Sequence, residues 1–142
     1  MQQLADHATR ALSGAIWIAG QSVTGGLGWF ALALSIPLVA LMIWRFPADR
    51  STRRRLPWIA ILPAPWLFCA TWGAWFWPTA PNPTWVGWPL VGALLLQLAL
   101  ILALAIGLRG SRVVAVAFGV GNLYLTLWCG FIAGMAVTGD WI

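Results

Sequence analysis

The chain has 142 residues, of which 61% are hydrophobic and only 8% charged, against about 25% charged in soluble domains. A domain of this length buries only about 70% of the surface of its unfolded chain, so much of the remaining apolar surface must face lipid. That balance excludes a soluble enzyme and a disordered tail. The net charge of +5 sits in short basic loops, where membrane orientation accounts for it better than nucleic acid does.

The first uncharged stretch runs from Ala11 to Trp44. As one helix it would be about 50 Å long at 1.5 Å per residue, too long for a single crossing. The glycine-rich, polar run from Gly20 to Gly28 is the expected break. Residues 3–19 are therefore predicted as a separate amphipathic helix in the membrane interface, with Asp6, His7 and Arg10 wetting its start. The first span is predicted at about 27–46. No cleavable signal peptide is expected, because the first long apolar run lacks a basic start.

The second span is predicted at about 56–77 and is closed by the prolines of Pro78–Pro83. Pro63 and Pro65 lie inside it and remove the N–H groups that an α-helix would pair with the carbonyls of Ile59 and Ile61. The third span is predicted at about 85–108. A tight turn at Arg109–Arg112 leads to the fourth, at about 113–137. The expected fold is an all-α integral membrane protein, a single four-transmembrane-helix bundle with one interfacial helix.

Seven of the eight arginines fall in the first and third loops (Arg45, Arg50, Arg53, Arg54, Arg55, Arg109 and Arg112). Basic loops stay on the cytoplasmic side, so both termini are predicted on the periplasmic side of a bacterial inner membrane. The bacterial assignment follows from arginine without lysine in an Ala-, Gly- and Trp-rich chain. Arg53, Arg54 and Arg55 anchor the topology and are also candidates for contact with anionic lipid.

The twelve tryptophans concentrate toward the predicted outer side. Trp72, Trp75, Trp85 and Trp88 flank one short loop. They read first as an aromatic belt at the headgroups and second as a cup for an apolar ligand, with Gln97 and Tyr124 as polar hooks. Gln97 and Tyr124 are predicted at equal depth across the hairpin of the last two spans. Gln97 should therefore point into the bundle and bond Tyr124, or failing that Asn122 or Thr126. Small and polar residues recur along the fourth span. Gly119, Asn122, Thr126, Gly130 and Gly134 are predicted to be helix-packing positions.

Chemistry-bearing groups are scarce. No residue ionisable near neutral pH lies at membrane depth, where proton-coupled transport needs one. A metal needs three or four converging ligands, and His7, three Asp and two separated Cys do not supply them, so no metal or cofactor is expected. No base stands near a nucleophile, and no catalytic residue is predicted. The expected role is a non-catalytic subunit or assembly partner of a larger inner-membrane complex, or a homo-oligomer. The alternative is binding or translocation of a lipid-, quinone-, carotenoid- or porphyrin-like molecule through the outer tryptophans. The expected surroundings are the lipid bilayer and other membrane subunits or further copies, with no nucleic acid.

Overall fold

The computed structural model of the protein describes residues 2–25, 29, 56–108 and 112–140. Four long helices account for most of them: α1 (Gln2–Thr24), α2 (Ala64–Phe76), α3 (Trp88–Gly107) and α4 (Arg112–Thr138), with short 3-10 turns between α1 and α3 and no strand among the described residues. Three helical stretches, Pro57–Thr79, Thr84–Gly107 and Ala115–Thr138, are long and apolar enough to cross a membrane. They fall on the predicted second, third and fourth spans. The predicted span at about 27–46, apart from Trp29, and the Arg53–Arg55 run lie outside the described residues.

α1 buries Ala11, Gly14, Ile18 and Ser22 and exposes Asp6, Thr9, Arg10 and Ser13, a three-and-four spacing that gives one inward stripe. The helix continues past residue 19, through Gly20 to Thr24, and Gly25 forms a bend. Its predicted end at 19 is therefore too early. The seven apolar residues after Arg10 carry the helix inward, and hydroxyls offset the helix-breaking tendency of the polar residues that follow. Ser22 donates to the Ile18 carbonyl at 2.8 Å and Thr24 to the Gly20 carbonyl at 2.8 Å, so neither hydroxyl needs a partner outside the helix.

The second span is not one uniform helix. A 3-10 segment, Leu56–Ile61, precedes α2. Pro63 has no N–H to give the Ile59 carbonyl, and that carbonyl accepts from the Leu62 N–H at 3.1 Å instead. The tighter 3-10 winding thus repairs the gap that proline opens. Pro63 then starts α2, whose first turn includes Pro65, a position where the missing N–H costs nothing.

Asn82 fastens the loop after α2 to the end of α4. Its Nδ2 donates to the carbonyls of Phe76 and Val137, both at 2.9 Å. Its backbone N–H also donates to the Val137 carbonyl at 3.1 Å, and Thr79 donates its hydroxyl to Asn82 Oδ1. α4 stops at Gly139, whose φ of 79° suits a residue without Cβ. Its N–H closes on the Met135 carbonyl at 2.9 Å.

The helices are held by glycines at close crossings. A Cβ placed on Gly73 would lie 2.6 Å from the Ala133 Cβ and 2.8 Å from its Cα; one on Gly14 would lie 3.2 Å from the Ala74 Cβ; one on Gly119 would lie 2.6 Å from Ile101 Cγ1. Lipid chains are as apolar as leucine, so close van der Waals contact between backbones does the work that hydrophobicity does in water. Gly73 pairs with Ala133, and Trp66 lies against Cys129, so α2 and α4 run parallel. α1 and α3 run antiparallel to them. Ile18, Cys69, Ala70, Ala74, Cys129 and Ala133 form the heart of the core.

Candidate functional site

Three regions bear on function: a polar seam between α3 and α4, an aromatic layer near the loop after α2, and two clefts on the surface.

Gln97 is fully buried, as are Thr126 and, nearly so, Asn122. Gln97 points into the bundle, and its partner is Thr126 rather than Tyr124, with Thr126 Oγ1 3.5 Å from Gln97 Oε1. The bond is weak for a stated reason. Thr126 has one hydroxyl proton, and the Asn122 carbonyl takes it at 2.8 Å. Asn122 in turn donates its Nδ2 to the Phe118 carbonyl at 2.9 Å. Asn122 and Thr126 therefore satisfy themselves on their own helix, and Gln97 Nε2 is left buried without a partner. Tyr124 is half-buried.

The outer tryptophans divide. Trp72 donates its indole N–H to the Val86 carbonyl at 2.9 Å. Its ring lies between Phe68, at 5.5 Å, and Phe76, at 4.9 Å. Trp75 meets His7 edge-on at 4.8 Å. Trp85 and Trp88 are 63% and 69% exposed. An indole so placed at the end of an apolar helix keeps its ring against hydrocarbon and its N–H toward the headgroups. Trp128 lies by the end of α1, with its buried Nε1 unpartnered and 3.2 Å from where a Gly25 Cβ would sit.

The first cleft, of about 430 Å³, lies between α1 and α2 and is lined by Arg10, Ser13, Gly14, Trp17, Ala74, Trp77 and Pro78. The second is an apolar groove of about 470 Å³ between α3 and α4; Leu90, Leu94, Gly130, Phe131, Gly134 and Met135 are among its walls. Neither is lined by Gln97, Tyr124, Trp72, Trp75, Trp85 or Trp88. The predicted packing stripe on α4 also splits. Gly119, Asn122 and Thr126 are buried, whereas Gly130 and Gly134 line the groove, and a Cβ on Gly134 would meet nothing within 4 Å.

The structure places together two residues that the sequence leaves apart. Cys69 and Cys129 are both fully buried, both free and in one cluster. Cys129 donates its thiol to the Trp66 carbonyl at 3.3 Å. Their spacing in sequence carries no hint of this, since it follows from the parallel register of α2 and α4. Among the described residues no group of three or more His, Cys, Asp or Glu could hold a metal ion.

The fold thus defines an all-helical protein with three apolar helices of membrane-spanning length. Comparison with protein-family models, curated proteins and solved structures finds no match for the chain.

Proposed function

We propose that the protein is a small non-catalytic subunit or assembly partner in a bacterial inner membrane, and that the α3–α4 groove is where another transmembrane helix docks. The observation that carries this reading is the pair Gly130 and Gly134. Glycine in an apolar helix has a purpose where a neighbour approaches closely, and Gly73, Gly14 and Gly119 each have an atom of another helix within 3.2 Å of a would-be Cβ. Among the described residues Gly134 has none, yet it lies in a groove with apolar walls. Small residues one turn apart let a partner helix come close enough for packing to replace the missing hydrophobic drive.

The supporting composition is the lack of side chains ionisable near neutral pH at membrane depth, which leaves no group for proton transfer, no ligand set for a metal and no base beside a nucleophile. The seven arginines of the two basic loops support an orientation with both termini periplasmic and Arg53, Arg54 and Arg55 at the cytoplasmic headgroups. The alternative, binding of an apolar small molecule between the outer tryptophans, has less support. Trp72 is committed to a backbone carbonyl and Trp85 and Trp88 face outward.

Gly134→Leu tests the docking reading. It fills the groove without touching the core, so helicity and yield should be unchanged while proteins cross-linked to the wild type in membranes no longer co-purify. A stoichiometric partner that survives Gly134→Leu would exclude the groove. A reporter fused after Ile142 should be active in the periplasm; cytoplasmic activity would reverse the orientation.

A further inference from the structure

We propose that the cleft between α1 and α2 is a binding site for one anionic phospholipid, with the phosphate on Arg10 and the glycerol and upper acyl chains over Trp17 and Trp77. The inference rests on the membrane placement of α2 and is independent of the α3–α4 groove.

The lining is graded by depth. α2 belongs to the membrane-length stretch Pro57–Thr79, so Pro78 stands at its end and Ala74 one turn deeper. α1 runs antiparallel, and the Gly14 backbone packs on Ala74. Arg10 therefore lies one turn outside this contact and Trp17 about one turn inside it. Helical side chains lean toward the N-terminus of their own helix. On α1 that direction is outward, toward water, and on α2 it is inward. The Trp17 ring thus rises and the Trp77 ring descends, and they meet at the level of Gly14 with centroids 5.3 Å apart. The cleft presents a guanidinium at the wet end, the Ser13 side chain below it and two indoles below that. A phospholipid arranges phosphate, glycerol esters and hydrocarbon in the same order.

Charge selects the class of lipid. The cleft has one cation and no carboxylate in its lining. Among the described residues the Arg10 guanidinium bonds through Nε to the Asp6 backbone carbonyl at 3.3 Å, which engages Nε and not the two terminal amino groups. Planar guanidinium groups pair with phosphate oxygens through two parallel hydrogen bonds. The indoles lie deeper than Arg10, so the ammonium of a zwitterionic head, which lies outward of its phosphate, would find no aromatic face; the nearest carboxylate, Asp6, stands one turn outward of Arg10 and outside the lining, which itself carries a net charge of +1. A headgroup with net negative charge is therefore preferred. The volume, about 430 Å³, suits the glycerol region and the first part of a chain, with the remainder running down the outside of the bundle.

The test is native mass spectrometry of the full chain in detergent, with phosphatidylglycerol or phosphatidylcholine added. One adduct is expected, at higher occupancy for phosphatidylglycerol. Arg10→Gln should weaken it about fivefold, the effect of one basic residue at a membrane surface. Ser13→Phe, which fills the cleft and keeps Arg10, should remove it. The combined variant R53Q/R54Q/R55Q, which removes the other basic cluster, should leave it. Arg10 and Ser13 are exposed, so both single variants should fold, and circular dichroism reports whether they do. Equal binding of the two lipids, an adduct unchanged by Arg10→Gln or by Ser13→Phe, or an adduct abolished by the triple variant would each overturn the proposal.

Discussion

The two sides of α4 treat small residues in opposite ways. Toward α2, Ala133 is fully buried and sits against Gly73 with no room for another carbon. Toward the α3 groove, Gly134, the next residue in the chain, meets nothing within 4 Å. The residue type is nearly the same, and the surroundings decide whether smallness is structural or spare. The lesson is that a small-residue motif in an apolar helix reports the capacity for close approach, and only the neighbour shows whether the fold itself uses it.

The comparison breaks most sharply at Gly73. Gly73→Val puts a branched side chain against the Ala133 backbone, and rigid packing leaves it nowhere to go. A loss of about 3 kcal/mol is expected, read as a lowered unfolding midpoint in detergent or as failure to accumulate. Second in size is Asn82→Ala, at the outer end of the same tight side. It deletes the two side-chain bonds to the Phe76 and Val137 carbonyls and should cost about 2 kcal/mol, at roughly 1 kcal/mol per bond.

Gln97→Leu sharpens the contrast from the seam between α3 and α4. The side chain holds only a 3.5 Å contact and a buried unpaired amide nitrogen. An apolar side chain of similar size should raise stability by about 1 kcal/mol, since an unserved buried donor is a standing penalty. A measured loss of stability would show that the amide has a partner the intact bundle needs. The smallest effect is expected at Gly134→Ala, where the added methyl meets open space. The unfolding midpoint should move by less than about 0.5 kcal/mol. A large loss there would place a helix of the same molecule in the groove.

Much of the helical layout was legible because its signals are local. Prolines after Trp77 and arginines after Leu108 mark the span ends, and the structure ends its apolar stretches within a few residues of both. The inward turn of Gln97 was legible from the hairpin and the cost of a lone amide in hydrocarbon. Equal depth says nothing of azimuth, so of the partners the sequence offers it is Thr126, rather than the first choice Tyr124, that lies within reach of Gln97. The packing stripe splits for a geometric reason. Residues four apart advance about 40° beyond a full turn, so a series from Asn122 to Gly134 winds off the face it starts on. The cleft on α1 had no signal, since Arg10 and Trp17 meet Trp77 only through the antiparallel packing of α1 on α2. The meeting of Cys69 with Cys129 is equally non-local.

The parallel register of α2 and α4 bears on how the chain is made. Trp66 meets Cys129 across 63 residues, and Asn82 meets Val137 across 55. Contacts of such separation form late, because the intervening chain must first be in place. Until α4 has been made, Gly73 and Cys69 lack the residues around Ala133 and Cys129 that close their side of α2. The nascent protein therefore passes through a stage in which α2 is made but has one face unclosed. That face closes only when the residues around Ala133 arrive.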